Sequence, residues 1–206
     1  MIEISKIEKK GNRVKISFFQ SETLLLSKET FNKYPLYINQ TITEEFLNEL
    51  NFYDQLQNSK QIALRYLAIR NHSSFEIKQK LSRKNLSKDI ITKTVEYLFD
   101  VGLLDDEKFT HDYATELSKR KHFGINRIKI ELSRKGISDS IIKEVTKELL
   151  NDPDNEKKNL ELAAAKYLRH LPEKLNPAEK QKLVNHLFRK GFSWDLIREF
   201  INNLQP

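Results

Sequence analysis

The chain contains no cysteine, which excludes a disulfide framework, a thiolate metal site and a cysteine nucleophile. No apolar run approaches the roughly 20 residues needed to span a bilayer. The opening Met1-Ile2-Glu3-Ile4 lacks the basic and then apolar regions of a secretory signal, so a cytoplasmic protein is expected. Only 5 glycines occur among 206 residues, and neither a glycine-rich phosphate loop nor a nucleophile motif is found. The five histidines (His72, His111, His122, His170, His186) form no His-x-x-x-His pair, so no metal site or cofactor is predicted. Dense charge with few glycines argues against an enzyme with a substrate pocket.

In place of these features there is a sentence written three times. Leu81-Ser82-Arg83-Lys84-Asn85-Leu86-Ser87 returns 51 residues later as Leu132-Ser133-Arg134-Lys135-Gly136-Ile137-Ser138. It returns again after 55 more as Leu187-Phe188-Arg189-Lys190-Gly191-Phe192-Ser193. A period near fifty marks tandem structural repeats. Gly136, Gly191 and Asn85 suit the left-handed turn that closes a helix. Ser87, Ser138 and Ser193, two residues on, suit the cap that opens the next. The apolar residue between them (Leu86, Ile137, Phe192) is placed to enter a core, so each copy predicts a helix-turn-helix.

The chain in order supports this. Ile2 and Ile4, then Val14, Ile16 and Phe18, alternate around Lys10-Gly11-Asn12-Arg13, predicting a β-hairpin. Leu24-Leu25-Leu26 offers a third strand, and Thr43 caps a helix to about Asn51. A first repeat begins near Lys60 with Ile62, Ala63, Tyr66 and Leu67. Its second helix starts at a capping box, Ser73 with Glu76, and buries Ile77 and Leu81. Its third helix buries Ile90, Thr94 and Leu98. At the junction Gly102 ends that helix, Leu103 and Leu104 plug the gap, and Asp105 or Asp106 caps the next helix.

The second repeat packs Phe109, Tyr113, Ala114 and Leu117, then Ile125, Ile128 and Leu132, then Ile141, Val145 and Leu149. After the breaker Asn151-Asp152-Pro153-Asp154-Asn155, the third offers Ala164, Tyr167 and Leu168, a loop from His170 to Asn176, the start Asn176-Pro177-Ala178-Glu179, Leu183 and Leu187, and finally Leu196, Phe200 and Leu204. The predicted fold is mostly α: three tandem three-helix bundle repeats with a small β-hairpin-containing N-terminal segment. The boundaries are 1–58, 59–104, 105–151 and 157–206.

The formal charge of +7 is uneven. Residues 60–150 carry 19 basic and 13 acidic side chains, against 7 and 8 before them and 10 and 8 after. Such a basic segment suits a polyanionic or acidic partner. Arg83-Lys84, Arg134-Lys135 and Arg189-Lys190 fall at the last turn of each second helix. Two explanations compete there: cations complementing the helix dipole, or a surface for phosphates or an acidic protein groove. Lys119, Arg120, Lys121, Arg127 and Lys129 thicken the basic surface of the second repeat. The aromatics Phe109, Tyr113 and Phe200 sit at core spacing. Trp194, after the Ser193 cap, either stands exposed or covers a neighbouring helix.

Several pieces in order resemble the RecX family, regulators of the RecA recombinase. They are Leu64-Arg65-Tyr66-Leu67 ahead of Ser73-Ser74-Phe75-Glu76-Ile77-Lys78-Gln79-Lys80-Leu81, Gly102-Leu103-Leu104-Asp105-Asp106 with Phe109 and Tyr113, Gly124 with Arg127-Ile128 and Leu132, and Lys135-Gly136-Ile137-Ser138. The resemblance runs from about residue 60 to 204. It implies a non-enzymatic regulator that binds the RecA filament and mainly suppresses strand exchange and ATP hydrolysis, in DNA repair, recombination and the SOS response; a monomer is expected. It implies no cofactor. Partner contacts would spread over a basic surface drawing on Arg83, Lys84, Arg127, Arg134 and Lys135, to which position and charge add Lys119, Arg120, Lys121 and Lys129. Single- or double-stranded DNA is a further candidate partner. The alternative is a helix-turn-helix protein reading DNA directly, although Lys88, Asp89 and Lys93, or Asp139, Lys143 and Lys147, offer mixed charge on the third helices rather than base-reading Arg, Asn and Gln.

Overall fold

A computed structural model describes residues 1–19, 22–151, 153–169 and 175–204. The chain divides into two units, one formed by residues 1–70 with 77–103, the other by residues 71–76 with 104–206.

In the first unit, β1 (Ile2–Lys10) turns at Gly11 and Asn12 into β2 (Arg13–Phe18), Lys10 standing opposite Arg13. Gly11 has φ 56°, the left-handed backbone that a tight hairpin requires. β3 (Leu24–Ser27) adds to β2 as the expected third strand. Two further elements were not legible: α1 (Lys28–Lys33), opened by the Ser27 hydroxyl accepting from the Thr30 amide, and the two-residue β4 (Thr41–Ile42). Both are too short to show a period. The antiparallel sheet has the order β3-β2-β1-β4. One face buries Ile4, Val14, Ile16, Phe18 and Leu26 with Leu36, Ile42 and Leu50.

The expected stop at Asn51 and the boundary at residue 58 do not interrupt the helix. α2 runs unbroken from Glu44 to Leu67, with Thr43 accepting from the Phe46 amide. It contains neither glycine nor proline, and asparagine costs a helix only a fraction of a kcal/mol. Asn51 even accepts from the Gln55 side chain at 3.1 Å. One helix therefore serves two cores. Asp54 reaches the sheet, its carboxylate accepting from the Ser27 amide at 2.8 Å, Thr30 Oγ1 at 2.7 Å and Arg13 Nη1 at 3.2 Å. One turn further on, Ser59 Oγ accepts from Thr94 Oγ1 at 2.8 Å. α3 (Ser74–Ser82) and α4 (Lys88–Asp100) supply Ile77, Leu81, Ile90, Thr94 and Leu98, all buried as expected.

The second unit holds α5 (Asp106–Lys119), α6 (Ile125–Arg134) and α7 (Asp139–Leu150), then α8 (Pro153–Leu168), α9 (Pro177–Lys190) and α10 (Trp194–Asn203). Each trio packs mutually. Asp105 is the cap of α5. Of the two junction leucines only Leu104 is buried, while Leu103 is half exposed. The first trio encloses Phe109, Ala114, Leu117, Ile128, Leu132, Ile137, Ile142 and Val145, the second Leu160, Ala163, Ala164, Leu183, Leu187, Phe192 and Ile197. Ile142 and Ile197 lie deeper than their expected neighbours Ile141 and Leu196, because a core-facing stripe is wider than one row of i, i+4 positions.

α8 starts at Pro153, ahead of the expected boundary at 157. Proline with fixed φ is suited to a first helical turn, so the breaker is an initiator as well. Asp152 and His170–Lys174, the latter most of the loop expected from His170 to Asn176, lie outside the described residues. The capping box at Asn176 and Glu179 is complete. Trp194 is half exposed, with the Arg198 guanidinium 5.9 Å from its ring centre.

Replacing Asp54 by alanine strands three donors and should cost about 3 kcal/mol, seen as a lower urea midpoint and faster amide exchange in β2 and β3. The His186 ring stacks on Tyr167 with centroids 4.5 Å apart. Its pKa is lowered by burial and then by Lys190 and Arg189. Below the ordinary value of 6.5 the unfolded chain binds the proton more readily than the folded one, so stability falls as pH drops through that value. His186→Gln should flatten the dependence of the thermal midpoint between about pH 7 and pH 5.

Candidate partner-binding surface

The repeated turn has the backbone its residues suggest: φ is 56° at Asn85, 72° at Gly136 and 93° at Gly191. Ser87 and Ser193 cap the following helix through the Ile90 and Leu196 amides. Ser138 does not cap by its side chain and instead meets the Ser140 hydroxyl at 3.0 Å.

In the second unit these turns also form joints, and they do so twice in the same way. The residues opening α3 lie on the end of α6. Ser73 Oγ donates to the Lys135 carbonyl at 2.7 Å, and the Ser74 amide and hydroxyl donate to the Asp106 carboxylate at 2.8 and 2.6 Å. A side chain on Gly136 would collide with Phe75. The residues opening α6 lie in turn on the end of α9. The Gly124 amide donates to the Lys190 carbonyl at 2.9 Å, the Asn126 amide to the Gly191 carbonyl at 3.1 Å and the Ile125 amide to the Glu156 carboxylate at 3.3 Å. A side chain on Gly191 would strike the Arg127 backbone. Each joint thus has a carboxylate from the opening turn of one helix and a glycine turn closing another. Together they satisfy helix-start amides that would otherwise lack partners.

This geometry divides the basic residues by role. Lys135 is turned inward: its ammonium lies 2.6 Å from a Glu76 oxygen and 5.3 Å from the centre of the Tyr113 ring. Glu76 also keeps its place in the Ser73 capping box. Lys135, for which the sequence suggests a partner contact, is therefore half-buried and paired within the chain. Burial raises the pKa of Tyr113, partly offset by the same ammonium.

Arg134 and Arg127 converge on one carboxylate, Glu131, at 3.0 and 2.7 Å. Lys129 is exposed on α6. Lys119 and Lys121 are exposed at and just beyond the end of α5, and Arg120 between them approaches Glu116 at 3.8 Å. Arg83 and Lys84 belong to the first unit, where both are exposed just after α3, and neither is ion-paired among the described residues.

Sequence reasoning passed over Ile130. It falls outside the buried row Ile125, Ile128 and Leu132, stands nearly half exposed, and shares a helix face with Arg127 and Arg134. An isoleucine off the core period was the available signal. Among the described residues no cluster of His, Cys, Asp and Glu could hold a metal, and no helix is long and apolar enough to cross a membrane.

Known proteins share this sequence and architecture. Residues 60–98, 105–145 and 155–201 match the first, second and third three-helix domains of RecX. The regulatory protein RecX of Streptococcus sanguinis is 28% identical over 204 residues, covering 99% of this chain and 78% of that protein. That of Chlorobaculum tepidum is 34% identical over 139 residues, 68% of this chain and 83% of that protein. A crystal structure of regulatory protein RecX shares the fold with TM-score 0.70 at 21% identity, over 98% of this chain and all of the other. The crystal structure of RecX from Lactobacillus salivarius aligns with TM-score 0.63 at 25% identity, over 74% and 97% of the two chains.

The Glu76–Lys135 contact should behave as a partly buried pair. Glu76→Gln and Lys135→Met should each destabilise by about 1–3 kcal/mol, and the double variant by less than their sum. A double-mutant cycle in urea checks this, and a coupling near zero would return Lys135 to the free surface.

Proposed function

This chain belongs to the RecX family, and on that footing we propose that it binds the RecA recombinase filament and modulates its recombinase and ATPase activities, mainly by inhibition. The observation carrying the reading is similarity to proteins named regulatory protein RecX along nearly the whole chain. The structure supplies a surface chemistry compatible with it. On α6 the solvent-facing Ile130 stands between Arg127 and Arg134, an apolar anchor with guanidinium neighbours, and Lys129 adds a free charge. Arginine beside an exposed apolar group is a common composition for binding hot spots. Arg83 and Lys84 offer a second exposed pair in the first unit. Regulation of this kind needs no reacting group in the regulator, so the reading assigns no catalytic residue.

The direct DNA-reading alternative draws little from the third helices. Lys93 on α4 lies within 3.8 Å of Asp89, leaving mixed charge where base recognition calls for exposed Arg, Asn or Gln.

The test is RecA ATP hydrolysis on single-stranded DNA, titrated with the wild type and with a variant carrying Arg83→Ala, Lys84→Ala, Lys129→Ala and Arg134→Ala. Lys135 is left intact because its loss would unsettle the fold. Wild type should inhibit well below one regulator per RecA, and the folded variant should need at least about tenfold more protein, corresponding to about 1.4 kcal/mol. Absence of wild-type inhibition at any ratio, with DNA retained on a filter, would favour direct DNA binding.

A further inference from the structure

The two joints of the second unit correspond residue for residue, and at one position their charge is reversed. Ser73 matches Gly124, Ser74 matches Ile125, Asp106 matches Glu156, Lys135 matches Lys190 and Gly136 matches Gly191. By the same register Glu76, which neutralises Lys135, matches Arg127. Where the first joint holds an ion pair at 2.6 Å, the second brings two cations together.

Lys190 Nζ donates to the Lys121 carbonyl at 3.2 Å and lies 4.9 Å from the centre of the Phe123 ring. The Arg127 guanidinium faces the same ring at 5.7 Å. Burial lowers the pKa of Lys190, and the positive charges of Lys166, Lys121 and Arg127 lower it further. Among the described residues Arg127 alone of these four has a carboxylate partner, Glu131, which also serves Arg134. The amides opening α6 are already bonded to Lys190, Gly191 and Glu156, so they are not the attraction. What remains is Arg127 and Lys190, half-buried over one ring, with the exposed Lys121 and Lys166 adding positive charge around them. An anion from outside would relieve the repulsion among these charges.

We propose that Lys121, Arg127, Lys166 and Lys190 form a phosphate-binding site at the second joint, taking the phosphate groups of a nucleotide or of a polynucleotide backbone. Two cations over one ring, with two further lysines adding positive charge around them, suit a compact group of multiple charge better than a single carboxylate. Phe123 is partly buried beneath Lys190 and Arg127, so the ring props the cations rather than offering a face for base stacking, and recognition is independent of sequence. The proposal does not rest on the recombinase reading, and its test contains no recombinase.

The experiment is thermal unfolding of the full chain at constant ionic strength, with sodium chloride replaced in turn by inorganic tripolyphosphate, ATP, an oligothymidylate or poly-glutamate. Tripolyphosphate should raise the wild-type midpoint by about 4 °C or more. A matching rise with ATP marks a site that accepts free nucleotides. A rise with oligothymidylate at far lower concentration, steeply lost with salt, marks the polynucleotide backbone as the source. Lys190→Met keeps the alkyl cover over Phe123, and Lys166→Gln changes an exposed position. Lys190→Met should remove most of the rise and Lys166→Gln should lessen it, each rise being read against that variant's own anion-free midpoint. Lys147→Gln on α7 should retain the full rise. No rise with any phosphate, an equal rise in Lys190→Met and Lys166→Gln, or a larger rise with poly-glutamate than with tripolyphosphate would overturn the proposal.

Discussion

A helix that ends beside the beginning of another leaves unpaired carbonyls facing unpaired amides, and the second unit is built around making each satisfy the other. For the Lys190 carbonyl to reach the Gly124 amide, and the Gly191 carbonyl the Asn126 amide, the two backbones must come nearer than any side chain would permit. That is why glycine closes α9, and why its φ of 93° serves two purposes: it turns the chain and removes the Cβ from the contact. At the end of α6 the same device accommodates Phe75 instead of backbone. Buried polar joints of this kind hold only when each donor is matched. The carboxylates of Asp106 and Glu156 complete the matching.

The consequence for the basic residues is a division of labour within a dipeptide. In the second repeat the arginine of the pair remains on the surface, sharing Glu131 with Arg127, while the lysine is folded onto Glu76. The helix-dipole account and the partner account of these cations are therefore both incomplete. Lys135 serves a tertiary contact that neither foresaw, and Arg134 keeps its charge available. Family membership is shown by the match to three successive three-helix domains.

Much of the fold was legible because it rests on local chemistry. Period-two alternation located β1 and β2, and apolar residues three and four apart located the buried faces of α4, α5, α6 and α9. Ser73 with Glu76 and Asn176 with Glu179 announced helix starts that the structure confirms. The errors came where local signals were weak or were outweighed. Asn51 reads as a helix end in the sequence, but Leu50 in the sheet core, the anchored Asp54 and the Ser59–Thr94 bond carry α2 through it. Pro153 reads as a break in the sequence and is a helix start in the structure.

From residue types and spacing alone came three repeats, their turns, most of their core and the positions of the basic pairs, all properties of neighbours along the chain. Which lysine of those pairs is spent inside the molecule, that Glu76 and Arg127 occupy matching places with opposite charge, and that Ile130 faces solvent were decided by tertiary structure. The reason is range. A helix cap involves residues three apart, whereas Glu76 and Lys135 are separated by 59 positions and Lys121 and Lys190 by 69, and only the packed unit brings such groups within reach of each other's charge.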